Sequence, residues 1–94
     1  MTFSRIGGRE EKMSLKAYIL INTNIGKTTE VAKILSNMPD ITHLEVIMGP
    51  YDIIAEVVTD SHESLAKIVM QRLQAIDAIR HTMTCPVVKL EEAV

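Results

Sequence analysis

The sequence predicts an α+β fold, a four-stranded antiparallel sheet carrying two helices on one face, and three observations predict it. Two short segments rich in β-branched residues, Ile41 to Met48 and Ile53 to Thr59, flank a turn at Gly49-Pro50-Tyr51-Asp52. Two stretches with apolar residues at helical spacing lie on either side of that hairpin. Two more extended segments, one early and one late, complete the order βαββαβ.

The length of 94 residues allows one domain and one core. At 47% hydrophobic residues and a net charge of −2, the chain reads as globular, with no general electrostatic attraction to nucleic acid or anionic membrane. An aromatic content of 3% leaves few platforms on which bases could stack. Cys85 is the sole cysteine and has no internal partner, which fits a reducing compartment. No apolar run approaches the roughly 20 residues that span a bilayer. A soluble, cytoplasmic protein is the expectation, with no membrane partner. Residues 1–14 hold Gly7-Gly8 and the charged run Arg9 to Lys12, lack the apolar centre of a signal peptide, and read as a flexible tail. Residues 15–90 form the domain and residues 91–94 a second tail.

The first strand, Lys16 to Asn22, sets Ala17, Ile19 and Ile21 on one face and Tyr18 and Leu20 on the other. A strand apolar on both faces is usually covered on both. Asn24-Ile25-Gly26 breaks the pattern, and a helix from about Lys27 to Asn37 carries Val31, Ile34, Leu35 and Met38 as its stripe until Pro39 stops it. After the hairpin, Asp60 is placed to cap a second helix, with Glu63 three residues on as in a capping box. Leu65, Ile68, Val69, Leu73 and Ile76 line one side of that helix. Ile79 to Leu90 is the closing strand, and Pro86 within it predicts an edge or a bulge. This order, crossovers through helices around a central antiparallel hairpin, is the ferredoxin-like arrangement.

Such a sheet has one face that its own helices leave bare. On a simple register across the tip, Ile47 faces Ile54 and Glu45 faces Glu56, and with Tyr18 and Leu20 they form a partly apolar surface. A surface of that kind marks an interface, and a second copy packed sheet to sheet covers it most simply. Tyr18, Leu20, Ile47 and Ile54 are therefore the expected dimer contacts. Glu45 and Glu56 directly opposed would repel, so solvation or pairing with Arg80 or a lysine of a neighbouring chain is expected rather than a metal or a shared proton. His43, His62 and His81 are too scattered along the sequence to read as a ligand set. No metal, cofactor or catalytic residue is expected.

Three stretches, taken in order, resemble one known family. They are the opening strand Lys16-Ala17-Tyr18-Ile19-Leu20-Ile21, the Gly49-Pro50-Tyr51-Asp52 tip, and Thr82-x-Thr84 ahead of Val87 and Val88. Over about Leu15 to Lys89 the chain resembles the effector-binding module of the leucine-responsive and asparagine-specific regulators of bacteria and archaea, the regulation-of-amino-acid-metabolism domain. The resemblance implies dimers formed through sheets, assembly of dimers into rings, often octamers, and a free amino acid bound between dimers beside the hairpin tip. It implies that Gly49, Pro50, Tyr51 and Asp52 approach that ligand and that Thr82 and Thr84 complete the pocket. Each has a physical reason: glycine admits close backbone approach, a carboxylate pairs with an ammonium, and threonine hydroxyls donate to a carboxylate. Full regulators of the family carry an N-terminal helix-turn-helix domain, for which Met1 to Lys12 is too short. The expectation is a stand-alone module that acts through ligand-sensitive oligomerisation and association with full-length regulators, not through direct contact with nucleic acid.

Two other readings share this strand order. A small enzyme of the dimeric α/β-barrel type would need an acid or base in an enclosed cavity, and His43, His81 and Glu45 are the residues available. A purely structural oligomerisation domain would use the same interface with no ligand. An RNA-recognition motif is disfavoured, because Ile53 to Thr59 lacks the aromatic and basic residues that stack and hold bases.

Overall fold

Alternation governs the two central strands of the sheet. In β1 (Leu15–Thr23), Ala17, Ile19 and Ile21 are fully buried, and in β3 (Ile53–Thr59), Ile53, Ala55 and Val57 are too. Between them lie the half-buried Tyr18, Leu20, Ile54, Glu56 and Val58, which face the other way. The computed structural model describes residues 14–88. The two expected tails, Ser14 apart, and the end of the closing strand at Lys89 and Leu90 lie outside them.

The remaining elements are α1 (Thr28–Ser36), β2 (Ile41–Val46), α2 (His62–Lys67), which runs on into a π-helical segment (Ile68–Leu73), and β4 (Ile79–Pro86). All pairings are antiparallel and the strand order is β2-β3-β1-β4, so the fold is the ferredoxin-like α+β arrangement. β4 is an edge strand, as Pro86 predicts. Val31 and Leu35 of α1, Leu65 of α2, Met38, Ile68 and Leu73 meet the buried face of β1 and β3 in one core.

Four expectations need correction. Glu45 pairs with Ile54 and His43 with Glu56, so neither Glu45 and Glu56 nor Ile47 and Ile54 are opposed. The register is displaced by two residues because Ile47 N–H bonds to Asp52 O at 2.9 Å, leaving Met48 to Tyr51 as the loop. An even displacement preserves the faces. Glu56 takes Lys16 of its own chain at 3.5 Å instead of Arg80 or a neighbouring chain's lysine. Second, the cap of α2 is Ser61, whose oxygen accepts the Ser64 N–H at 3.0 Å; Asp60 supports it from outside by accepting the Ser64 hydroxyl at 2.7 Å. Third, that helix does not run on to Ile76: Gln74 N–H bonds to Val69 O, five residues back, and Ile76 sits in the turn leading to β4. Fourth, Ile34 lies at the margin of its stripe, 39% exposed.

Candidate functional site

The hairpin tip is built from the end of β1 as much as from its own residues. The Asp52 N–H donates to Ile21 O at 2.9 Å, and Asp52 Oδ2 accepts the Thr23 N–H at 2.8 Å and the Thr23 hydroxyl at 3.3 Å. The Thr23 and Thr28 hydroxyls lie 2.7 Å apart, which ties the same junction to the start of α1. Asn22 Nδ2 donates to Pro50 O at 2.8 Å. The Thr23 N–H holds the Asp52 carboxyl below the usual carboxylate range against an opposing effect of partial desolvation, with smaller help from the Asn22 and Thr23 side chains and the Arg80 charge.

Tyr51 leans out of this pinned loop onto β4. Its ring stacks on His81 with centroids 6.4 Å apart and planes at 22°, and its hydroxyl donates to Met83 Sδ at 3.7 Å. His81, Met83 and Cys85 pair with Asn22, Leu20 and Tyr18, so they share the face turned away from the helices. Thr82 and Thr84 pair with the buried Ile21 and Ile19 and lie on the opposite face of β4. The structure thus gathers Gly49, Pro50, Tyr51 and Asp52 at one end of the sheet, seats Tyr51 on β4, and sets the two threonines across the thickness of that edge strand. Gly49 has a φ of 158°, close to extended, and a side chain there would meet no atom within 4 Å, so the loop leaves open space above it. Among the described residues the Gly49 and Tyr51 N–H groups make no hydrogen bond. Sequence reasoning missed Asn22, Thr23, His81 and Met83 as supports of this tip. The polar run Asn22-Thr23-Asn24 closing an apolar strand was the signal available.

Away from the tip, the bare sheet face carries rows that run across all four strands. Met83, Leu20, Ile54 and Glu45 form one, and Cys85, Tyr18, Glu56 and His43 the next. Tyr18, Leu20 and Ile54 are half-buried there, and Ile47 continues the alternation of β2 beyond its last paired residue. Glu56 accepts the Thr42 hydroxyl at 2.7 Å and the Tyr18 hydroxyl at 3.2 Å. The Thr42 bond, followed by the Lys16 charge, keeps its carboxyl below the usual range despite partial desolvation. Glu45 meets His43 Nε2 at 2.6 Å, both side chains exposed. His43 and Glu45 pair in the open at one edge of the sheet and His81 stands at the other, so the three residues of the enzyme reading do not share one site. Among the described residues no three metal-ligating side chains come together, and no helix is long and apolar enough to cross a membrane.

Comparison with known proteins gives this geometry a family. Uncharacterized HTH-type transcriptional regulators of Pyrococcus abyssi and Pyrococcus horikoshii are 28% and 25% identical over 68 residues, which is 72% of this chain and 43% of each regulator. The chain therefore spans less than half the length of those relatives. Among solved structures, FFRP-DM1 is 31% identical with a TM-score of 0.77, covering 79% of this chain and 99% of that one. A hypothetical protein of Pyrococcus horikoshii is 29% identical with a TM-score of 0.75, covering 83% and 94%. Escherichia coli AsnC shares the fold at a TM-score of 0.77 and 24% identity, covering 96% of this chain and 62% of AsnC. The family model described as the Lrp/AsnC ligand binding domain matches residues 16–91. With four-fifths of its length under that match, the chain belongs to the Lrp/AsnC ligand-binding domain family.

Proposed function

We propose that this chain is an amino-acid-binding regulatory module of the cytoplasm that acts through ligand-sensitive oligomerisation. The observation that carries the reading is the hairpin tip held to the end of β1 by Asp52 and Asn22, with Tyr51 laid against the β4 edge and open space above Gly49. The ligand's ammonium is received by Asp52 and its carboxylate by the Gly49 and Tyr51 N–H groups of one subunit, with the Thr82 and Thr84 hydroxyls supplied by a neighbouring one; Pro50 sets the loop's path. A structural neighbour from Neisseria meningitidis, 13% identical, was solved as a complex with L-Met, which supports an amino acid as the class of ligand.

A homodimer forms through the bare sheet face, with Tyr18, Leu20, Ile47 and Ile54 at its centre, and dimers join near their tips into a larger ring such as an octamer. The half-exposed Met83 beside Leu20 supports this, since a row of apolar side chains across a sheet stands at a cost in water. Thr82 and Thr84 lie on the far face of β4 from Tyr51, so a pocket using all three wraps the edge strand. Such a pocket is completed by a neighbouring dimer. Ligand then shifts assembly because it binds the assembled state better. Partners are full-length regulators of the same family.

Calorimetric titration of the full chain with each of the common amino acids tests this. Saturable heat for at least one of them, lost in Tyr51→Ala and weakened in Thr82→Val, is the expected result. Absence of heat from every amino acid would overturn sensing.

A further inference from the structure

We propose that the open groove at the end of the sheet opposite the tip is a second small-molecule site, built for a zwitterion of the size of a short peptide. The tip lies beyond Ile21 and Thr23, where β1 ends; the groove lies where β1 begins, beside Thr59, the partner of Leu15. Its volume is about 660 Å³, inside the range of roughly 300–1,000 Å³ typical of ligand sites.

The lining explains the class of ligand. From the α2 and π-helical face come Ser64, Lys67, Ile68, Gln71 and Arg72, spaced three and four residues apart and so on one side of the helix. From the turns at the ends of β2 and β3 come Asp40 and Asp60. The groove thus holds two cations and two carboxylates, with the buried Ile68 beneath them.

These charges are only partly spent on one another. Arg72 Nη1 meets Asp40 Oδ2 at 3.3 Å with both side chains more than a third exposed, which leaves the rest of the guanidinium fork available. Lys67 has no ion-pair partner among the described residues. Asp60 accepts neutral donors, chiefly the Ser64 hydroxyl at 2.7 Å, and that bond holds its carboxyl below the usual carboxylate range. A simple anion entering the groove meets two carboxylates, and a simple cation meets two cations. A molecule with a carboxylate at one end and an ammonium at the other finds a complement for each, which is electrostatic selection in both senses.

This site is independent of the tip, and the test keeps the two apart. The isotope-labelled full chain is titrated with alanyl-alanine and followed by amide NMR, alongside its N-acetylated amide, sodium acetate and methylammonium chloride. Saturable movement of the Asp60, Lys67 and Gln71 resonances with alanyl-alanine alone is expected. Lys67→Gln should weaken it about tenfold, the loss of one charge-assisted contact. Asp60→Asn serves as the second variant, removing the ammonium partner at the opposite wall. Tyr51→Ala should leave the groove response intact, so failure at the tip does not mimic failure here. An equal response to acetate, an unchanged affinity in both groove variants, or no saturable movement would overturn the proposal.

Discussion

At Asp52 a single carboxylate oxygen accepts both the N–H and the hydroxyl of Thr23, and these bonds favour the ionised form. A carboxyl whose value in the folded state lies below that in the unfolded chain stabilises the fold above the unfolded value, and that stabilisation disappears as pH falls through the folded one. The chain should therefore lose stability on acidification below about pH 4, where an ordinary aspartate begins to protonate. Asp52→Asn should flatten part of that acid limb in urea denaturation followed across pH; Glu56, shifted the same way, accounts for the part that remains. An acid limb identical in the variant would contradict this role. Ser61 offers a second test at the same scale. As the cap of α2, its replacement by Ala should cost about 1 kcal/mol in equilibrium denaturation, and Asp60→Ala should cost less because it acts only through Ser64.

Among the elements, the π-helical segment has the clearest physical cause. Ile68 and Leu73 are both buried although five positions separate them, a spacing that an α-helix turns away from its own face. The wider turn brings Leu73 back over the core. Leu73→Ala should destabilise by about 2–5 kcal/mol, whereas Met70→Ala, at a position 66% exposed in the same segment, should change stability by less than about 0.5 kcal/mol. Thermal or urea unfolding of the two variants side by side checks the contrast. The element order and the two faces of β1 and β3 were legible in the sequence because alternation and helical spacing are local. The register of β2 was not, because the closing pair of Ile47 and Asp52 depends on Thr23, whose bond to Asp52 spans 29 residues. The π segment was hidden for a related reason: Leu65, Val69 and Leu73 also satisfy an α-helical stripe, and only the packed core selects Ile68 with Leu73 instead. At the tip, Tyr51 and Asp52 could be singled out from the turn, while His81 and Met83 could not, since only the pairing of β4 with β1 brings them under the Tyr51 ring.

For the whole molecule, the helices cover one face of the sheet and leave Leu20, Ile54 and Met83 in a row on the other. In the proposed dimer, burying that row against a second copy removes apolar surface from water on both partners, with the charged groups around it, Lys16 with Glu56 and His43 with Glu45, as its rim. Leu20→Lys should place unpaired like charges at the centre of a two-fold interface and dissociate it, with little change in the folded subunit. The central claim, that self-association and amino-acid binding are coupled, is tested most directly by sedimentation velocity of the full chain with and without the common amino acids. A species of dimer size or larger, whose distribution shifts with at least one amino acid and not in Tyr51→Ala, is the predicted result; a monomer at every concentration, or an assembly that no amino acid moves, would contradict it.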